Sequence, residues 1–154
     1  SQDSGELEFP VENAVQRYHK DEVCTWFIIV STDKAIELNF TQIVFESPEN
    51  CNNRYLRIND KLTGTEWLYC KTLTAGELPV VTSASNRVVI NFKASTWMSN
   101  HFKLSWKTVV PNCGGEIEAK SHGTIDSPRF PYNYPPNQDC EWRLMAPPGK
   151  KIKL

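Results

Sequence analysis

Alternation of apolar and polar side chains with a period of two is the feature that most constrains the fold of this chain. In residues 36–40, 88–92 and 102–106, every even position carries a large apolar side chain. Because successive residues of a strand point to opposite faces, such segments bury one face and expose the other. The pattern predicts strands, which we place at residues 23–31, 34–45, 54–60, 86–94 and 100–109.

Turn-forming clusters separate these segments, for example at residues 47–53 and 83–86. Only residues 11–20 have a helical pattern, and it is weak. Several short strands at this spacing are typical of an antiparallel β-sandwich, and the 40% apolar fraction with five Trp residues is enough for a packed core. We therefore predict an all-β fold.

Charge and hydropathy exclude two classes of partner. The net charge is −1, so no basic surface favours nucleic acid or an anionic membrane. No apolar run approaches the roughly 18 residues of a membrane-spanning helix, so we expect no direct membrane insertion in this segment.

The sequence contains no recognisable catalytic constellation. His19, His101 and His122 fall near turns or strand ends, and no Ser or Cys has the surroundings of an activated nucleophile. Three acids that could be considered catalytic are interpreted as surface carboxylates on turns: Asp33, Asp60 and Glu66. We expect that this chain is not an enzyme.

Five cysteines indicate an oxidising compartment. They lie at positions 24, 51, 70, 113 and 140, without a C-x-x-C pair or an adjacent His, so zinc binding is not favoured. A disulfide framework fits better. The sequon Asn39-Phe40-Thr41 predicts a glycan on Asn39 and agrees with secretion. The odd fifth cysteine requires an explanation.

Two parts of the chain repeat each other. The pattern C-x-W-x-aliphatic occurs at residues 24–28 and again at 140–144, and similar leads precede the two copies at residues 5–10 and 123–128. A repeat at this distance predicts tandem domains, the second of which begins at Cys113.

The motifs of the second copy resemble the opening of a CUB domain. They are Cys113-Gly114-Gly115, then G-x-I-x-S-P-x-F-P-x-x-Y-P from Gly123 to Pro135, then C-x-W-x-L-x-A-P-P-G from Cys140. The first copy resembles the rest of the module. The resemblance implies jelly-roll-like β-sandwiches that bind extracellular proteins, with a nearly complete CUB domain at residues 1–110 and the first part of another at 111–154. We do not expect the second part to fold alone, because too few strands are present to cover its apolar face.

The family's disulfide pairing implies bonds between Cys51 and Cys70 and between Cys113 and Cys140. Cys24 occupies the second-cysteine position, so the resemblance places its partner upstream of Ser1 and leaves Cys24 unpaired in this fragment. A buried thiol in the core and a natural three-cysteine variant are the alternatives.

Many CUB domains bind calcium between loops at one end, with three acidic ligands. Here the first position is Glu46, the second is Arg54 and the third falls in the acid-free residues 95–100. We therefore expect no calcium in the first domain and a Glu46–Arg54 salt bridge in its place; the alternative is that both side chains point into water. Calcium in the second domain is open, because the resemblance places its ligands beyond Leu154.

The same loops suggest a binding surface. Arg54, Trp97, Met98 and Trp67 are the candidate partner-binding residues, since exposed Trp, Met and Arg side chains often anchor interfaces. Alternatively, Trp97 folds back over the end of the sandwich as a plug. Trp26, Trp106 and Trp142 share the apolar face of their strands and are predicted to be structural.

Three functions agree with the resemblance. The first is a protein-binding array of consecutive CUB domains in a large secreted or cell-surface protein, as in cubilin-like endocytic receptors, with extracellular proteins and neighbouring CUB domains as partners. The second is a targeting arm of a secreted protease of the tolloid or complement type, and the third is an adhesive or matrix protein. Fold alone does not separate them.

Overall fold

The structure, a computed structural model, describes residues 2–11, 23–46, 51–94, 100–111, 113–136 and 138–154. Strands β1 to β8 form two four-stranded antiparallel sheets, with the orders β1-β8-β3-β6 and β2-β7-β4-β5, that pack together as a sandwich. Strands β9 and β10 form a separate parallel pair. The strands are β1 Ser4–Phe9, β2 Val23–Ile29, β3 Ala35–Val44, β4 Tyr55–Asp60, β5 Glu66–Tyr69, β6 Val80–Thr82, β7 Arg87–Lys93, β8 His101–Val109, β9 Gly115–Glu118 and β10 Trp142–Met145.

All five segments predicted from the period-two pattern are strands, namely β2, β3, β4, β7 and β8, and the all-β sandwich is confirmed. The weak helical pattern at residues 11–20 lies, except for its first residue, outside the described residues.

The core lies between the two sheets and is built from the alternating apolar positions. Ile36, Leu38, Ile58, Val88 and Ile90 are each 0% exposed. Full burial of such a side chain contributes about 1.5–3 kcal/mol to the free energy of unfolding, so these positions hold the two sheets together.

Aromatic side chains fill one part of the core. The rings of Phe9, Phe92 and Phe102 lie within 5.2–6.5 Å of one another, and Trp26 contacts Phe102 edge-on at 5.5 Å. Trp106 also packs against the core. The prediction that Trp26 and Trp106 are structural is therefore confirmed.

A glycine makes room for Trp106. Gly5 of β1 lies opposite Trp106 of β8, and a Cβ at Gly5 would lie 2.6 Å from the indole Nε1. The indole therefore lies where any side chain at residue 5 would be.

The sandwich has two distinct ends. One end, here called the turn end, contains the connections at residues 30–34, 61–65 and 83–86 and the last residues of β8. The opposite end, here called the loop end, contains Glu46, Arg54 and Asn100. Residues 113–154, here called the C-terminal segment, follow β8 and therefore leave the sandwich from the turn end.

The interpretation of Asp60 as a surface carboxylate is wrong. Asp60 is the last residue of β4, and its side chain is 0% exposed. Two turns wrap around it and satisfy its oxygens, so it belongs to the interior although it ends a strand. Asp33 and Glu66, by contrast, are about one-third to two-fifths exposed and pair with Lys34 and Arg57.

The C-terminal segment is closed by a disulfide. Cys113 is bonded to Cys140, with their Cα atoms 4.8 Å apart, directly before β9 and β10. Trp142 is half-buried and lies opposite Gly115 in the parallel pair. The disulfide thus joins two positions of the chain that are 27 residues apart in sequence.

Candidate functional site

The loop end is organised by a buried amide. Asn100, immediately before β8, is 0% exposed, and its Oδ1 accepts a hydrogen bond from the Glu46 N–H at 3.1 Å. This bond fixes the chain that leaves β3 against the start of β8. Glu46 is exposed, and Arg54 lies half-buried immediately before β4.

A second set of hydrogen bonds joins β3 to the chain after β5. The Thr72 hydroxyl accepts from the Phe45 N–H and donates to the Phe45 carbonyl, both at 2.9 Å. The Leu73 N–H donates to the Ile43 carbonyl at 3.0 Å. The backbone at the loop end is therefore held by side chains and not by strand pairing alone.

Both disulfides that the resemblance implies are present. Cys51 is bonded to Cys70, with Cα atoms 5.3 Å apart, and Cys113 is bonded to Cys140. The first bond fastens the loop before β4 to the end of β5, so it lies beside Arg54. Cys24 is half-buried on β2, opposite Phe92. Its pairing with an upstream cysteine stays a prediction.

Tyr69 adds an aromatic ring next to this disulfide. Its ring lies 6.2 Å from that of Phe40, and burial raises the pKa of its hydroxyl above the usual value of 10.0. Tyr69 is therefore neutral at physiological pH and acts as a packing residue.

The described residues of the loop end do not fit a calcium site. They contain no group of three His, Cys, Asp or Glu side chains that could hold a metal ion. Arg54 places a cation where the resemblance expects a carboxylate, and the Asn100 oxygen already accepts a hydrogen bond from Glu46. Calcium requires several hard oxygen ligands. The Glu46–Arg54 salt bridge stays a prediction.

The candidate partner-binding residues are not all brought together. Arg54 lies at the loop end, whereas Trp67 lies on β5 opposite Ile58 and packs against the core. Trp67 is partly buried there, and its role in partner binding stays a prediction. Trp97 and Met98 lie outside the described residues.

Asn39 has the exposure that a glycosylation site needs. It lies on β3 opposite Ser105, on the outer face of the sheet, and its side chain is exposed. Asn39 itself lines a shallow concavity, together with residues such as Ser4, Ser105 and Trp106. Glycosylation of Asn39 stays a prediction.

Sequence reasoning missed Asn100 and Asp60 as organising residues. Asn100 was visible only as the last residue of an acid-free loop, and Asp60 as one of several acids near turns. Both are buried polar side chains whose partners are backbone groups from other parts of the chain. No local pattern identifies such partners.

The family of the chain follows from comparison of its sequence. The family profile described as "CUB domain" matches residues 3–106 and 113–154. The chain belongs to the CUB domain family. CUB domains are non-catalytic protein-interaction modules.

CUB proteins similar to this chain include cubilins. A cubilin homolog of Drosophila melanogaster is 32% identical over 161 residues, which cover 100% of this chain and 4% of that protein. Human cubilin is 34% identical over 155 residues, 98% of this chain and 4% of cubilin. Tolloid-like protein 1 of Mus musculus is 31% identical over 135 residues, 85% of this chain and 13% of that protein. The chain thus spans a small part of the length of these relatives.

Solved CUB structures share the fold. The CUB1-EGF-CUB2 domain of human MASP-1/3 superposes with a TM-score of 0.59 at 19% identity, over 96% of this chain and 71% of that one. The MASP-1 CUB2 domain, crystallised bound to Ca²⁺, superposes with a TM-score of 0.53 at 22% identity, over 70% of this chain and 94% of that one. At these identities the likeness concerns the fold alone.

Within the described residues, no helix of this CUB chain is long and apolar enough to cross a membrane.

Proposed function

We propose that this chain is part of a cubilin-like array of consecutive CUB domains that binds extracellular proteins without catalysing a reaction. The domain boundaries of the proposal are residues 1–110 and 111–154. The observation that supports it best is the continuity of the similarity to cubilins. Only residues 107–112 separate the two ranges that match the CUB family, and the alignment with human cubilin includes 98% of the chain.

An extracellular location belongs to the same proposal. Two disulfides persist in an oxidising compartment and are rare in the cytosol. An exposed sequon at Asn39 is accessible to the glycosylation machinery of the secretory pathway.

The proposed binding surface is the loop end, with Arg54 as its cation and Trp97 and Met98 as apolar anchors. Where the family's calcium site offers carboxylates to a partner's Lys or Arg, this end offers a guanidinium. Complementary charge then favours an acidic or apolar partner surface over a basic one. The domain itself binds no calcium in this proposal.

The test uses the full chain with three separate substitutions, Arg54→Ala, Arg54→Lys and Trp97→Ala. Extracellular binding proteins are captured on the wild type and on each variant and quantified by mass spectrometry, with thermal unfolding measured in parallel. Loss of a true anchor lowers affinity by about thirtyfold, equivalent to about 2 kcal/mol. Arg57→Ala is the matched control, because Arg57 lies on β4, three residues after Arg54, and pairs with Glu66.

An unchanged set and amount of captured proteins for both Arg54→Ala and Trp97→Ala would remove the loop end as the binding surface. A lower melting temperature with unchanged binding for Trp97→Ala would favour the plug.

A second candidate function is a targeting arm of a secreted protease, which the similarity to tolloid-like protein 1 favours. The full coding sequence separates the two candidates. Repeated CUB domains alone support the array, whereas a protease domain in the same chain supports the targeting arm.

A further inference from the structure

The turn end of the sandwich presents backbone carbonyl groups outward, and a buried carboxylate causes this arrangement. One oxygen of Asp60 accepts from the N–H groups of Leu62 and Thr63 at 2.9 and 3.4 Å. The other accepts from the N–H groups of Ala84 and Ser85 at 2.6 and 3.1 Å. Two separate turns thus direct their N–H groups inward to one negative charge.

The carbonyls of the same turns must point away from Asp60. In a trans peptide, the C=O of one residue and the N–H of the next are antiparallel. Because Ser85 N–H points at Asp60, the Ala84 carbonyl points outward. Gly64 N–H donates to the Asp60 carbonyl at 2.9 Å, so the Thr63 carbonyl points outward as well.

An arginine of the C-terminal segment occupies this carbonyl surface. Arg129 Nε donates to the Ala84 carbonyl at 2.6 Å, and its Nη2 donates to the Lys34 carbonyl at 3.0 Å. The Tyr132 hydroxyl lies 3.5 Å from the Thr63 carbonyl. The guanidinium therefore bridges two turns that are 50 residues apart in sequence, Lys34 and Ala84.

The charge of the surroundings favours a cation at this place. Burial lowers the pKa of Arg129, and the carboxylates of Asp60 and Asp33 oppose that shift. The Gln138 amide donates to the Asp33 carbonyl at 3.3 Å, which adds a contact on the same turn. The outward carbonyls and the two acidic side chains can only accept hydrogen bonds. A guanidinium carries several N–H donors in one plane, so it matches this surface.

The backbone conformation of residues 127–132 determines the direction of the Arg129 side chain. Arg129 has a φ of 68°, which is uncommon for a residue with a side chain. The Phe130 N–H donates to the Ser127 carbonyl at 3.0 Å and the Tyr132 N–H to the Arg129 carbonyl at 2.7 Å. Pro128, next to Arg129, is buried. The turn thus holds the side chain of Arg129 towards the sandwich.

We propose that the turn end of the sandwich is a guanidinium-binding socket, formed by the Ala84 and Lys34 carbonyls over Asp60, and that Arg129 fills it to fix the C-terminal segment in one orientation. Independent domains in one chain move relative to each other unless an interface restrains them. Here Arg129 supplies the two shortest of the side-chain hydrogen bonds that restrain the segment, and Tyr132 and Gln138 add one longer bond each. The proposal does not depend on which protein the loop end binds.

The first test measures the distance between two genetically encoded spin labels in the full chain, one at Val80 and one at Met145. Both side chains are exposed, at 60% and 45%, and this labelling leaves the disulfides intact. Arg129→Ala should make the distance distribution broader than that of the wild type, because the segment loses its two hydrogen bonds to Lys34 and Ala84. The matched control is Arg143→Ala, because Arg143 is 70% exposed and pairs only locally with Glu141 at 2.9 Å.

Arg129→Lys separates a guanidinium socket from a general preference for positive charge. Lysine keeps the charge but donates from a single point, so its distribution should also be broader than that of the wild type. A wild-type width in Arg129→Ala would overturn the proposal. A wild-type width in Arg129→Lys alone would overturn the requirement for a guanidinium.

The second test uses a small cation as the probe. In the Arg129→Ala chain, n-propylguanidinium should shift the amide resonances of Ala84 and Ser85, whereas n-propylammonium should not. Equal effects of both cations, or no shift with either, would contradict the socket. Arg143→Ala, in which Arg129 still fills the socket, should show no shift with either probe.

Discussion

Replacement of the buried carboxylate by an amide, Asp60→Asn, tests the organisation of the turn end. Asp60 is 0% exposed and accepts four backbone N–H bonds, two on each oxygen. An asparagine keeps one acceptor oxygen, and its NH₂ group faces two N–H donors. Each hydrogen bond to a charged group is worth about 1.5–3 kcal/mol, so the loss of two predicts a decrease of about 3–6 kcal/mol in the free energy of unfolding.

The assay is equilibrium urea unfolding with the disulfides intact, supported by thermal unfolding. For a chain of this size, the lower limit of that loss corresponds to a decrease in Tm of about 6–12 °C. The matched control is Glu8→Gln on β1, whose side chain is 44% exposed and 3.3 Å from Lys103. Its effect should stay within about 0.5 kcal/mol, as expected of an exposed pair.

The pH dependence provides an independent check on the same residue. Burial by itself raises the pKa of Asp60, but hydrogen bonds from Ser85, Leu62 and Ala84 together hold it below its usual value of 3.8. A lowered folded-state pKa contributes stability that is present above the unfolded pKa and is lost as the pH falls through the folded pKa. The difference between wild type and Asp60→Asn should therefore be full at pH 7 and shrink in acid, below about pH 4.

A loss below about 1 kcal/mol at neutral pH, or a difference that does not change between neutral and acidic pH, would refute the reasoning, since the expected loss is several times larger. The first result would mean that water replaces the lost acceptor. The second would mean that the charge of Asp60 is not what the two turns recognise.

Three further predictions concern other parts of the chain. Asn39→Gln should remove the mass of one glycan from the secreted protein, as peptide N-glycosidase does from the wild type; equal masses before and after the enzyme would contradict it. Saturating Ca²⁺ should leave the melting temperature of the sandwich unchanged, whereas a real site would raise it by several degrees. Gly5→Ala should cost about 1–3 kcal/mol by overpacking, because its Cβ would lie 2.6 Å from Trp106, while Gly76→Ala, with nothing within 4 Å, should be nearly neutral.

The strands of the core were predictable because their signal is local. In β3 and β7 apolar and polar residues alternate along the strand, and the buried positions are the apolar ones. Strand β6 has only three residues and no such signal, and it forms because residues 80–82 pair with residues 37–39 of β3. The disulfides were predictable only through the resemblance to the family, since spacing alone leaves several pairings open.

The polar organisation of the two ends was not predictable, because its partners are distant in sequence. Asp60 receives Ala84 N–H across 24 residues, and Arg129 reaches Lys34 across 95. In the sequence, an aspartate at a strand end such as Asp60 looks like a surface acid. It is buried because a second turn, which contains Ala84 and Ser85, packs against it. Its burial is therefore a property of the folded chain and has no local sequence signal.

The contacts of the C-terminal segment and the proposed binding surface lie at opposite ends of the sandwich. Among the described residues, the hydrogen bonds from side chains of the C-terminal segment to the sandwich go to Asp33, Lys34, Thr63 and Ala84, all at the turn end. The loop end with Glu46 and Arg54 lies at the other extremity of the same strands. A joint at one end and a binding surface at the other allow a partner to reach Arg54 without competing with the C-terminal segment. If the socket holds the segment in one orientation, it also fixes the direction in which each loop end faces along the array.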